Sequence, residues 1–147
     1  MIMNLFENLD MKANKYFTAD ELVSKEVYEL LGDEAIKLFD PKALEVLEDV
    51  REILGIPLTC NDWNNGGNRN NSGYRDLKCK IGAPKSAHRS GQAFDLISPM
   101  MSASDMRNRI QLCAHMLRHN IRIEDGVDWL HIDVKNKTSK KIVMFDE

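Results

Sequence analysis

Two short stretches limit what this chain can fold into, because the side chains they carry make chemical sense only when brought together. Ser86 to Asp95 reads SAHRSGQAFD, and Asp128 to Val134 reads DWLHIDV. Between them they supply two imidazoles, His88 and His131, and carboxylates at Asp95, Asp128 and Asp133. In WLHIDV a period of two puts Trp129, His131 and Asp133 on one face of a strand and Leu130, Ile132 and Val134 on the other. QAFDLI alternates as a second short strand, and Gly91 marks a turn between His88 and Asp95. A loop side chain and a strand side chain can therefore converge there, with His131 arriving from the second strand. The pattern calls for a sheet that is apolar on one face and polar on the other.

A catalytic zinc ion takes three protein ligands from His, Asp or Glu and leaves a fourth position to water, whose pKa falls from about 15.7 to roughly 7. Two His and one Asp meet that need. Taken singly, a His or Asp on a strand is more often solvated or hydrogen-bonded than a ligand, so the combination carries the reading.

The pattern S-x-H-x-x-G-x-A-x-D is met at Ser86, His88, Gly91, Ala93 and Asp95, and an acid three residues before a His is met at Asp128 and His131. This resembles the signature of zinc peptidases of the D-alanyl-D-alanine carboxypeptidase and L-alanyl-D-glutamate endopeptidase family, which cut peptidoglycan stem peptides. The resemblance covers roughly Asp40 to Val134. It implies an α+β domain of the hedgehog/DD-peptidase type, with a small, mostly antiparallel sheet, helices on one face and one zinc ion on the other. It also implies His88, Asp95 and His131 as the zinc ligands and Asp128 as the base that activates water and later protonates the leaving amine. Many members carry Glu at that last position; Asp is similar to what several phage endolysins of the family use. Glu124 and Asp125 are rivals close in sequence. Residues three apart on a flat strand face opposite ways, so Asp128 shares a site with His131 only if the chain bends between them, and Gly126 is placed for such a bend.

Upstream, DWNNGGNRNNSGYRD is rich in Asn and Gly and reads as a long loop, a kind of segment that is often functional in a compact domain. Its SGYR, from Ser72 to Arg75, again resembles the family, in which an arginine before the first ligand contacts substrate or the developing oxyanion. A guanidinium suits that task because its fork of donors binds a carboxylate or tetrahedral centre bidentately. Arg75 is the candidate, with Tyr74 and Ser86 beside it as substrate-binding residues. Arg69 and Arg89 stay open as alternatives, and Ser86 is also placed as an ordinary turn-making serine. Gly82 and Pro84 would fix the entry direction of the metal loop.

Helical signals fill much of the remainder. Thr18-Ala-Asp-Glu21 forms a capping box for a short helix through Val23, and further short helices are predicted near Lys25 to Leu31 and Asp33 to Phe39, broken at Gly32. The clearest helix runs from Asp40 to Leu54, with Asp40 as cap, Pro41 in the first turn and Ala43, Val46, Leu47, Val50, Ile53 and Leu54 on one face. Ile56 to Asn61 reads as a strand. Ser102 with Asp105 caps a helix predicted to extend to about His119, with Met106, Ile110, Cys113, Ala114 and Leu117 on its apolar face. On that helix His115 and His119 would be neighbours, but Met116 stands where an HExxH site needs Glu, so they read as surface residues. Strands near Ile121 to Glu124, Trp129 to Val134 and Lys141 to Phe145 would complete an antiparallel sheet.

A chain of 147 residues suits one core, so residues 1–39 read as a helical extension packed on a catalytic core of residues 40–147. A formal charge of −3 and a pI near 5.8 argue against a nucleic-acid partner. The basic run Lys135 to Lys141 reads as a solvated hairpin with some attraction to an anionic wall. Three cysteines without C-x-x-C spacing imply reduced thiols and no obligatory disulfide. The opening MIMNLFENLDMKANKYF is interrupted by Glu7, Asp10 and Lys12, so no secretory signal and no membrane partner are expected. The expectation is thus a monomeric zinc peptidase made in a bacterial host cytoplasm and acting on peptidoglycan peptides after holin release or from a virion, as an endolysin or tail-associated lysin. The rivals are a non-catalytic metal-binding virion or wall-binding module of the same fold, and a bacterial carboxypeptidase acting on wall precursors.

Overall fold

A computed structural model describes residues 14–76, 79, 81–82 and 85–146; the opening MIMNLFENLDMKA and Pro84, both read above, lie outside them. The chain enters through a single 3₁₀ turn at Ala19–Glu21, where the Glu21 carboxylate accepts from the Thr18 N–H at 3.1 Å. Helix α1, Lys25–Leu31, is capped by Ser24, whose Oγ accepts from the Val27 N–H. The segment after it, Gly32–Leu38, is the short helix expected near Asp33 to Phe39, and it is wound as a 3₁₀ helix. Extended Phe39 closes it, its N–H donating to the Ile36 carbonyl in the i→i+3 pattern. Helix α2, Pro41–Leu54, matches its sequence signals: the Asp40 carboxylate accepts from the Lys42 N–H at 2.9 Å and Gly55 ends it.

Helix α3 is Ala103–Leu112, capped by the Ser102 hydroxyl, which accepts from the Asp105 N–H. It stops well short of His119, with a 3₁₀ turn following at Ala114–Met116. The reason lies in what the chain reaches next. Leu117 is buried, while the Arg118 N–H and Nε both donate to the Asp49 carboxylate of α2 at 2.9 Å. A continued helix would carry both away from those partners. His115 and His119 consequently share no helical face, and His119 Nε2 lies 3.4 Å from a Glu45 carboxylate oxygen. Cys113 is half-buried against the core.

Four strands, β1 (Ala93–Leu96), β2 (Ile121–Glu124), β3 (Leu130–Asp133) and β4 (Ile142–Phe145), form one open sheet in the order β1-β3-β2-β4. β1–β3 and β3–β2 are antiparallel, but β2–β4 is parallel, so the sheet is mixed and the expected antiparallel completion is corrected. The loop after β3 explains this. β3 ends beside the start of β2, and residues 134–141 stay at that end, where Asn136 Nδ2 donates to the Ile121 and Lys140 carbonyls. β4 must then run the same way as β2. The predicted strand Ile56 to Asn61 reduces to one bridge, Thr59↔Ile97.

One apolar cluster runs from Phe17 to Ile132. Phe94, Leu96, Ile121, Ile123, Leu130 and Ile132 face it from the sheet, and Val46, Leu47, Val50, Ile53, Met106 and Ile110 face it from α2 and α3. Alternation sends Asp95, Arg122, Glu124, His131 and Asp133 to the other face. Among the described residues the protein is therefore an α+β fold with three α-helices and one mixed sheet whose polar face carries a buried His-Asp-His group. Among the described residues no helix is long and apolar enough to cross a membrane.

Candidate metal centre

Strand register brings two of the three expected ligands together without help from loops. Asp95 on β1 pairs directly with His131 on β3, and His131 Nδ1 lies 2.8 Å from Asp95 Oδ1. His88 comes from the 3₁₀ turn Ala87–Ser90, which places its Nε2 3.2 Å from Asp95 Oδ2. All three are buried, and one ligand atom from each lies within 4.8 Å of the others, so the group can hold a metal ion.

Gly91 ends the turn at φ +69, and a side chain there would also collide with the carbonyl oxygen of Leu38. Glycine is required at this position on both counts. Ser86 starts the turn, its Oγ accepting from the His88 N–H at 3.3 Å, which is the turn-making role.

Each imidazole is oriented by an acceptor outside the group. His88 Nδ1 is 2.8 Å from the Gly73 carbonyl, which can only accept, so Nδ1 carries a proton and donates there, and Nε2 is the ring atom turned to Asp95. His131 Nε2 is 2.9 Å from Asp133 Oδ2, and Asp133 in turn accepts two hydrogen bonds from Arg122, at 2.9 and 2.8 Å, and one from the Lys135 N–H. Phe145 packs edge-on against His131 and lies under the Arg122 guanidinium. This carboxylate–histidine arrangement is the usual support of a metal-binding imidazole.

The charges follow from these contacts. Burial alone would raise the pKa of Asp95, but hydrogen bonds from His131 and His88 outweigh it and hold the carboxylate ionised far below neutral pH. Burial would likewise lower His131; hydrogen bonds to Asp133 and Asp95 instead raise it to about 9, so the metal-free ring is a cation between two carboxylates. Asp133 is lowered, its burial overcome by His131 and Arg122.

The donor set fits zinc. Bonds of about 2.0–2.1 Å in a tetrahedron hold ligand atoms about 3.3 Å apart, close to the 3.2 Å between His88 Nε2 and Asp95 Oδ2. Once the proton shared by His131 Nδ1 and Asp95 leaves, that 2.8 Å contact can open to the same spacing. Among the described residues the group has three members, the number found in catalytic rather than structural zinc sites.

The other expected residues fall in distinct places. Arg75 is mostly buried; its Nη2 lies 3.3 Å from Asp95 Oδ2 and its Nε donates to the Asn71 carbonyl. Tyr74 stacks edge-on against Phe39 and lines, with Arg75, Asn70, Asn71 and Asp76, a cavity of about 230 Å³. Arg69 and Arg89 are spent on backbone carbonyls, Arg69 on Cys60 and Asp95, Arg89 on Asp76, Cys79 and Ile81. Asp128 is exposed in the bend that precedes β3, so the chain does bend between it and His131, with Gly126 at φ +76. Of its rivals, Asp125 is exposed and Glu124 is buried on the polar face of β2. Two supports went unread in the sequence. Arg122 carries no motif, and the Gly73 carbonyl is backbone, invisible to any residue pattern; Asp133, by contrast, shares His131's face by simple alternation. No family model, curated protein or solved structure matches this chain.

Proposed function

We propose that this chain is a zinc-dependent peptidase of the hedgehog/DD-peptidase type, hydrolysing an amide bond in peptidoglycan stem peptides. The observation that carries the reading is the convergence of His88, Asp95 and His131, with both imidazoles held from behind and no fourth protein ligand among the described residues. The sequence motif that resembles the peptidase signature supplies the substrate class.

Zinc bound there would supply Lewis acidity to polarise a carbonyl and to lower the pKa of water. His88, Asp95 and His131 would hold the ion. Asp128, exposed to solvent at the mouth of β3, is assigned the proton transfer: it takes a proton from the attacking water and returns it to the leaving amine. Arg75 pairs with Asp95 and so steadies a ligand, and because it also borders the cavity with Tyr74, it can meet an anionic group of a bound peptide. A bacteriophage endolysin or tail-associated lysin is the setting that the resemblance favours.

The test begins with zinc content by elemental analysis, followed by mass spectrometry of digested peptidoglycan. Asp128→Ala should keep one zinc per chain and lose turnover by about 10²–10⁴-fold. Turnover unchanged in Asp128→Ala would remove the mechanism. A zinc-loaded protein inactive on both crosslinked sacculi and soluble D-Ala-D-Ala peptides would leave a metal-binding module instead.

A further inference from the structure

Arg107 is a charged side chain in an unexpected place. It lies on α3, on the helical side of the sheet, and is only 8% exposed. Burying a guanidinium is costly unless its donors are used, and an apolar residue would fill such a position more cheaply. Its donors go to the bend that carries Asp128. Nη1 lies 3.0 Å from the Val127 carbonyl and 3.3 Å from the Trp129 carbonyl, and Nε lies 3.6 Å from the Asp125 carboxylate.

Those two carbonyls flank Asp128. The first belongs to the peptide plane that enters Asp128, the second to the plane that opens β3. Tying both to one rigid planar cation restrains the backbone on either side of the residue and so the point from which its side chain leaves. The start of the bend is fixed independently, by the Asp125 N–H donating to the Phe145 carbonyl and by Gly126 donating to Asp125. Without Arg107 the carbonyls would lose their shared partner, and Asp128 would sit on a loop with freedom to turn.

We infer that Arg107 is a positioning residue for proton transfer: from the core side it clamps the Val127–Trp129 bend and so restricts how the exposed Asp128 can turn. The inference rests on the peptidase reading for what Asp128 does, but the clamp itself is testable apart from it.

The experiment compares Arg107→Lys and Arg107→Met with wild type as zinc-loaded, full-length proteins. Hydrogen–deuterium exchange of residues 125–129 should rise by roughly tenfold or more in Arg107→Met and less in Arg107→Lys, with residues 130–133 unchanged. On a soluble muramyl pentapeptide, which contains both candidate bonds, kcat should fall about 10–100-fold in Arg107→Met with KM within roughly twofold, and Arg107→Lys should recover part of the loss. Asp128→Asn should cost much less in the Arg107→Met background than in wild type, because the two act through one group. Unchanged exchange in the bend overturns the clamp, and equal costs of Asp128→Asn in both backgrounds overturn the coupling. If Arg107→Met does not fold, Arg107→Lys carries the same measurements. A bend that loosens while wild type tolerates Asp128→Asn overturns the assignment of Asp128 as base and leaves the zinc site standing.

Discussion

Zinc binding at this site should expel a proton, and His131 sets the pH at which that stops. In the metal-free fold both ring nitrogens face carboxylates, which keep the imidazole charged up to about pH 9. A metal ion can take Nδ1 only after its proton leaves, whereas Nε2 keeps its proton and donates it to Asp133. Asp95 contributes no proton, being ionised already. At pH 7, two units below the pKa, about 99% of the sites carry the proton, so about one is released from this residue per zinc bound. The cost of removing it at that pH is about 3 kcal/mol, so the apparent Kd should tighten roughly 50-fold between pH 7 and pH 9 and then level off. The assay is calorimetric titration of chelator-stripped protein with zinc held by a competing chelator, in two buffers of different ionisation enthalpy. A Kd flat across that window, or a proton count near zero at pH 7, would refute the reasoning.

Four further outcomes follow from the same contacts. Because folding raises the pKa of His131 from 6.5 to about 9, its stabilising share is whole below pH 6.5 and is lost as pH climbs through 9. The metal-free protein should therefore lose about 3 kcal/mol over that interval, read as a falling urea midpoint, and zinc-loaded protein should not. At the acid end the depressed Asp95 and Asp133 contribute stability above their ordinary value of 3.8 and lose it as pH falls further, so a midpoint that rises below pH 3.8 would contradict their pairing. Asp133→Asn should weaken zinc binding by about 10–100-fold in a chelator competition, since the ring loses its charged support; unaltered affinity would mean the Arg122–Asp133 pair serves folding alone. Gly73→Ala, whose added carbon would collide with the Leu22 carbonyl oxygen, should displace the acceptor of His88 and lower both Tm and zinc occupancy, whereas Ser72→Ala should spare both.

What the sequence reveals and what it hides divide along physical lines. Alternation in DWLHIDV and QAFDLI suffices to put His131 and Asp95 on one sheet face, because burying Phe94, Leu96, Leu130 and Ile132 in the core sends the residues between them to the other side. Helix α2 was legible because Asp40, Pro41 and Gly55 act locally. The end of α3 was not, since it is decided by a contact from Arg118 to Asp49 that spans 69 positions of sequence. The direction of β4 was hidden for a similar reason: the pattern of IVMF is the same for parallel and antiparallel neighbours, and only the path of residues 134–141 chooses between them. Arg75 shows the limit for a single side chain. Its type suits a substrate anion, but it pairs with a carboxylate of the chain's own His-Asp-His group.

The segment before Asp40 is better understood as part of the frame of the His-Asp-His group than as an appendage. The Leu22 carbonyl accepts from the Tyr74 N–H at 3.0 Å, and Gly73 packs so closely on that same oxygen that no side chain fits. Gly73 then presents its own carbonyl to His88 Nδ1. On the other side of the turn, the backbone of Leu38 and Phe39 presses on Gly91, and the Gly91 carbonyl accepts from the Asp40 N–H. Val23 is fully buried and its carbonyl takes side-chain donors from Asn61 and Trp63, which fixes the loop leading to Gly73. The three members of the group therefore depend on different things. Asp95 and His131 are set by a strand pairing internal to the sheet, while His88 is seated by backbone that residues 19–39 supply. Loosening that segment would leave two ligands in register and free the third, and a two-ligand site binds zinc far more weakly than a three-ligand one.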